Sequence, residues 1–198
     1  MSGDAMGSDP SRRSDYLGDA RYAALVSDFA DWQSAALERD DATLRDACRA
    51  LLEREARILD QRRFDDWLGL FAPECLYWVP GSAEGGDPRR EVAIAFDDRR
   101  RLEDRVYRLR TGYAWSQTPV SRTVRMVSNV EIFGTSVEAV WMVRSNFQII
   151  EFRAGETRVL AGWSGHRLLR EESRWRILVK QVNLVDCDAN LRNPSIVL

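Results

Sequence analysis

The sequence predicts an α+β fold: a curved antiparallel sheet with N-terminal helices packed on one face. Three observations carry this reading. Apolar residues recur at three- and four-residue steps through the first 110 or so positions, as on amphipathic helices. After Thr111 the pattern becomes long alternating segments joined by short turns. Nowhere do strands and helices alternate one by one, which argues against a parallel nucleotide-binding sheet.

The elements follow in order. Residues 1–14 are small, polar and rich in Gly, Pro and Ser, and are expected to be disordered. Residues 15–40 form a helical extension with a broken stripe of Tyr22, Leu25, Val26, Phe29, Trp32 and Leu37, suited to packing on the domain or on a partner. The main domain spans residues 41–198. Asp40 or Asp41 can cap a helix whose one face carries Leu44, Ala47, Cys48, Leu51, Leu52, Glu55, Ile58 and Leu59. A short second helix presents Phe64, Trp67, Leu68 and Phe71 and ends at Pro73. Leu76 to Val79 reads as a short strand, and residues 81–90 as a loop. A third helix is expected from about Asp97 to Arg110, with Leu102, Val106 and Leu109 inward.

Four strands complete the chain. In Thr123–Phe133 the alternating apolar set is Val124, Met126, Val130 and Ile132. In Ala139–Phe152, Trp141, Val143, Phe147 and Ile149 share one face, and Arg144, Asn146 and Gln148 the other. Arg158–Arg170 is the third strand and Trp175–Asp186 the fourth. In the fourth the apolar parity switches after Val179, which places a bulge near Lys180–Gln181.

Composition narrows function. The 29 basic and 31 acidic residues leave a formal charge of −2, so no global field attracts nucleic acid. Cys48, Cys75 and Cys187 are scattered, with no spacing of a zinc or iron–sulfur site. There is no signal-peptide core and no apolar run long enough to cross a bilayer, so a soluble cytoplasmic protein is expected. A Rieske centre needs two histidines and two cysteines, and a facial-triad iron needs two histidines and a carboxylate. The single histidine, His166, can complete neither.

Ordered blocks of residues carry a resemblance. They are Glu53–Asp60, Arg63–Phe71 and Tyr77–Pro80; Asp97-Asp98 with Leu102 and Arg105-Val106; and Ala114–Gln117, Pro119–Thr123 and Ser128–Val130. Gly162, His166–Arg170, Trp175–Ile177 and Asn183–Asp186 complete the set. Together they resemble the small (β) subunit of aromatic-ring-hydroxylating dioxygenases, over about Leu44–Leu198. Arg125-Met126 departs from it, where a histidine is expected. The resemblance implies the nuclear transport factor 2-like (cystatin-like) cone. It also implies a hetero-hexamer of three large and three small subunits, with a small-subunit trimer inside it. The Rieske cluster and mononuclear iron belong to the large subunit, and no cofactor, metal or catalytic residue to this chain. A reductase, with or without a ferredoxin, supplies electrons, and dioxygen is added to an aromatic compound.

Within that frame Trp115, Gln117 and Arg122 are expected at a subunit interface. Arg144, Asn146 and Gln148 either meet neighbouring subunits or line the cone's pocket. Two other readings are a free-standing dehydratase or isomerase of the same fold, using Tyr77 with Asp97 or His166, and a small-ligand-binding module. Asp97-Asp98 are read as helix caps, and Cys75 as a core thiol.

Overall fold

The structure is a computed structural model that describes residues 19–83, 85–88, 90–111, 117–172, 174–189 and 196–198. Ten elements run in the order α1 (Asp19–Asp28), α2 (Ala42–Asp60), α3 (Phe64–Leu68), β1 (Phe71–Pro80), β2 (Ala93–Asp98), α4 (Arg99–Thr111), β3 (Arg122–Gly134), β4 (Val140–Arg153), β5 (Glu156–Glu171) and β6 (Arg174–Leu184). The expected disorder of residues 1–14 lies outside the described residues.

The strands form one sheet in the order β2-β1-β6-β5-β4-β3. β3 to β6 are an antiparallel meander, but β1 pairs with β6 in parallel, so the sheet is mixed. α4 carries the chain from one sheet edge, β2, to the other, β3.

α2 forms where the periodicity predicts it. Asp41, in an extended conformation, accepts the Leu44 N–H at 2.9 Å and caps the first turn. Its face of Leu44, Cys48, Leu51, Leu52, Ile58 and Leu59 joins Trp67 of α3, Leu102, Val106 and Leu109 of α4, and the inner sheet residues in one core. The outer face of the sheet is also partly covered. Leu25 of α1 packs on Leu76, Trp78 and Val179, and Trp32 packs on Phe133 and Met142. Residues 19–39 are therefore a strap on their own domain, opposite α2.

Several boundaries depart from the sequence reading. Asp97 and Asp98 end strand β2, which the sequence hid by running a short apolar stretch straight into the helix. Asp98 still caps, its carboxylate accepting the Arg101 N–H at 2.9 Å, whereas Asp97 pairs with Arg105 at 2.6 Å. β1 begins at Phe71 and includes Pro73, within an irregular stretch of its pairing to β6. Trp78 of β1 is buried beneath α1. Val124 and Met126 point outward and are exposed, because a bulge at Ser128–Glu131, with Asn129 at φ 53°, reverses the parity of β3. The expected bulge in β6 exists, but at Leu178, where Arg167 pairs with Val179 and Leu168 with Ile177.

Candidate functional site

The sheet curves around α2 and leaves one polar cluster inside the cone. Val143, His166 and Lys180 are register neighbours on β4, β5 and β6, so their side chains share the inner face. Glu55 meets them from the apolar face of α2 and is buried. Its Oε1 accepts Trp67 Nε1–H and Lys180 Nζ–H, both at 2.8 Å. Its Oε2 lies 3.3 Å from His166 Nε2. A carboxylate only accepts, so His166 carries its proton on Nε2, and its buried Nδ1 has no hydrogen-bond partner among the described residues. One pair further along, the hydroxyls of Ser145 and Ser164 bond at 3.0 Å.

Burial alone would raise the Glu55 carboxyl, but the Lys180 charge and the His166 hydrogen bond overcome it and hold the group well below the usual carboxylate range. Burial lowers His166 against the pull of Glu55, so the imidazole stays neutral near pH 7. Burial also lowers Lys180, with Glu55 acting against it. The asymmetry within the pair follows from geometry: three donors converge on Glu55, while one carboxylate serves Lys180.

A second ion pair closes the wall beside the cluster. Arg125 donates to Asp60 at 2.5 Å, and Thr123 donates to the same carboxylate at 2.8 Å. Arg125 thus stands inward at the position where the resemblance leads one to expect histidine. The cavity among these groups is about 40 Å³. That holds a few waters, whereas a benzene-sized guest needs roughly 150 Å³. The space within the cluster is too tight for an arene.

Tyr77 and Asp97 of the alternative acid–base reading are register partners on β1 and β2, but each is engaged elsewhere, Asp97 by Arg105. The Tyr77 hydroxyl is taken up by Leu198, accepting its N–H at 3.0 Å and donating to its carbonyl at 3.4 Å. Burial pushes the Tyr77 phenol up to about 12. Burial likewise pushes the Cys48 and Cys75 thiols up to about 12, which leaves neither a ready nucleophile. No three of His, Cys, Asp and Glu converge on a metal position among the described residues. With one histidine in the whole chain, the donor set fits neither a Rieske cluster nor a facial-triad iron.

Of the expected interface residues, Arg122, Arg144, Asn146 and Gln148 lie together on the outer sheet face, away from the cone interior. The pocket-lining option for the last three is thereby set aside. Gln117 is half-buried in the segment before β3, and Trp115 lies outside the described residues. Sequence reasoning missed Glu55 and Lys180. A carboxylate inside the apolar stripe of α2 was the available signal.

His166 makes stability pH-dependent. The folded chain keeps this ring neutral below the ordinary histidine pKa of 6.5, while the unfolded chain protonates. The unfolded state then binds more protons, so stability should fall as pH drops from 6.5 toward the depressed folded value. The slope is at most about 1.4 kcal/mol per pH unit. Thermal melts between pH 7.5 and 5.5 should show this decline, and His166→Gln should flatten it. A parallel decline in both proteins would assign it to other groups.

A curved sheet wrapped around helices, with a polar cluster in its interior, is the fold of a nuclear transport factor 2-like cone. The family follows from comparison. A family model described as "Ring hydroxylating beta subunit" matches residues 54–189, more than half of the chain, and the chain belongs to that family. It is 36% identical over 140 residues to the small subunit of 2-halobenzoate 1,2-dioxygenase from Burkholderia cepacia, covering 68% of this chain and 84% of that protein. It is 32% identical over 138 residues to the benzoate 1,2-dioxygenase β subunit of Acinetobacter baylyi, covering 67% and 81%. Among solved structures, the β subunit of benzoate 1,2-dioxygenase from Burkholderia mallei superposes with a TM-score of 0.61 at 26% identity, covering 74% of this chain and 94% of that one. A naphthalene 1,2-dioxygenase chain reaches 0.71 at 20% identity over 92% and 95%, which speaks to the fold alone. A scytalone dehydratase-like cone from Novosphingobium aromaticivorans, at 0.54, 15% identity and coverage of 72% and 85%, does the same. This chain is thus a small subunit of an aromatic-ring-hydroxylating dioxygenase, part of an oxidoreductase complex. No helix among the described residues is long and apolar enough to cross a membrane.

Proposed function

We propose that this chain is a scaffold for a large subunit that holds the Rieske cluster and the mononuclear iron, in an assembly of three large and three small subunits. A reductase, directly or through a ferredoxin, supplies electrons, and the large subunit adds dioxygen to an aromatic ring. The observation that carries this reading is the interior. Every charge there is tied to another residue of the same chain, and the 40 Å³ cavity admits no ring. The outer face bearing Arg122, Arg144, Asn146 and Gln148 is a subunit interface in this reading, to which the sequence adds Gln117 and Trp115.

The test is co-expression with the large subunit from the same source. Iron and arene turnover are expected only in preparations that contain the large subunit, with native mass spectrometry giving equal numbers of the two chains. A small subunit that retains stoichiometric iron, or oxidises an arene by itself, would overturn the proposal.

A further inference from the structure

The concave face of the sheet carries a passenger from its own chain. Ile196, Val197 and Leu198 are buried in the main core, although they belong to no helix or strand. Among the described residues, two side chains hold their backbone, and no neighbouring strand does. Leu198 N–H donates to Tyr77 Oη at 3.0 Å, and that hydroxyl donates to the Leu198 carbonyl at 3.4 Å. Arg125 Nη2 donates to the Val197 carbonyl at 2.5 Å. Tyr77 is on β1 and Arg125 on β3, with β6, β5 and β4 between them in the sheet. Four inter-strand steps of about 4.8 Å each separate the two strands, yet their side chains grip consecutive residues. The segment therefore lies across the inside of the curl. Leu198 also lines the 40 Å³ cavity beside Glu55, His166 and Lys180.

Such a segment is separable from the core in a way that a strand is not. Lifting it breaks no strand pairing; it gives up the hydrogen bonds to Tyr77 and Arg125 and the burial of three apolar side chains. The space released would join the existing cavity to make a pocket on the order of 300 Å³ or more, the lower end of small-molecule sites. Leu52, Leu59, Phe147 and Ile149 supply apolar walls. The charges in the wall are already matched, Lys180 by Glu55 and Arg125 by Asp60, so an ionic guest gains no counter-charge. Tyr77 Oη–H and Arg125 Nη2–H both donate to carbonyls of the segment, and its departure takes those acceptors away. A neutral molecule with a compact apolar ring and a carbonyl oxygen replaces what the segment provides.

We infer that residues 196–198 are a built-in ligand, a stopper seated in a latent pocket for a small neutral carbonyl compound with an apolar ring. The stopper acts within this chain, so its failure and the failure of the scaffold reading are separate results. The test compares the full-length small subunit with the chain shortened by Ile196–Leu198, and follows binding of para-fluoroacetophenone and of fluorobenzene by fluorine NMR. The shortened chain should bind the ketone saturably, one per chain, and roughly tenfold or more tightly than the full-length protein, which must first expel its own stopper. Its melting temperature should rise with added ketone. Fluorobenzene, which has no carbonyl, should bind several-fold more weakly, and Tyr77→Phe in the shortened chain should narrow that gap. An added peptide ending in the Ile196–Leu198 sequence should displace the ketone. If the shortened chain does not fold, full-length Leu198→Ala decides by the same saturable binding, with parental near-ultraviolet circular dichroism. A folded variant that takes up neither compound overturns the inference, because the sheet then closes on itself. So do equal ketone affinities for variant and parent, and so does uptake that never saturates.

Discussion

Replacing Glu55 with alanine should cost the small subunit about 3–5 kcal/mol, the usual consequence of stripping one partner from a buried ion pair. Three donors depend on this carboxylate: Trp67 Nε1–H, Lys180 Nζ–H and His166 Nε2–H. All three side chains are buried, so none can turn to water when Glu55 is removed. The largest part of the loss is the uncompensated Lys180 ammonium. A domain of this size has a total stability of only about 5–15 kcal/mol, so the variant should sit near its folding threshold. Urea unfolding followed by tryptophan fluorescence measures the change directly. Glu55→Gln keeps the shape and can still accept the Trp67 bond, yet it leaves Lys180 without a counter-charge. It should fall between the parent and the alanine variant. A loss under about 1 kcal/mol for the alanine variant would mean that water already solvates the cluster, contrary to its burial.

The same network shows how far a sequence can be read. Glu55 stands in the apolar stripe of α2, and that anomaly is visible from spacing alone. Its partners are not, because Lys180 and His166 lie 125 and 111 residues away. They meet only through the register of β5 on β6, which no local pattern encodes. The helix itself was legible, since a capping Asp41 and a three-to-four periodicity are local properties. The alternation of β4 was legible too, because Val143 and Ile149 on one side contrast with Arg144 and Gln148 on the other. β3 was misread for a physical reason. Its outer face carries Val124 and Met126, so apolar alternation no longer marks the inside, and the bulge at Asn129 completes the confusion. Alternation along β4 placed Arg144, Asn146 and Gln148 on one face, but that Arg122 shares it needed the register of β3 on β4.

Trp32→Ala should release the N-terminal strap from the sheet. The ring is buried and packs edge-on against Phe133 at 5.3 Å and Phe29 at 6.0 Å, with Trp163 at 6.3 Å. Its seat is cut into β5: a Cβ on Gly165 would come within 2.9 Å of the indole, so glycine there leaves the space the ring fills. Truncating a buried tryptophan costs about 3–5 kcal/mol. The strap's other anchors are Leu25 and Phe29 against Trp78, the Arg167–Asp28 and Arg21–Glu74 ion pairs, and the backbone hydrogen bonds of Leu37 and Arg39 to β3 beside the Glu38–Phe133 bridge. Most of that cost should appear as local detachment, with the core of α2 and β3–β6 unfolding at nearly the parental urea midpoint. Detachment bares Phe133, Met142 and Trp78 on the outer face. Two readouts follow: rapid tryptic cleavage at Arg39 or Arg21, seen by mass spectrometry, and concentration-dependent aggregation. Gly165→Ala should give the same pattern more weakly, by crowding the indole from beneath. A Trp32→Ala protein that resists trypsin as the parent does would show that the strap is held by contacts other than this ring.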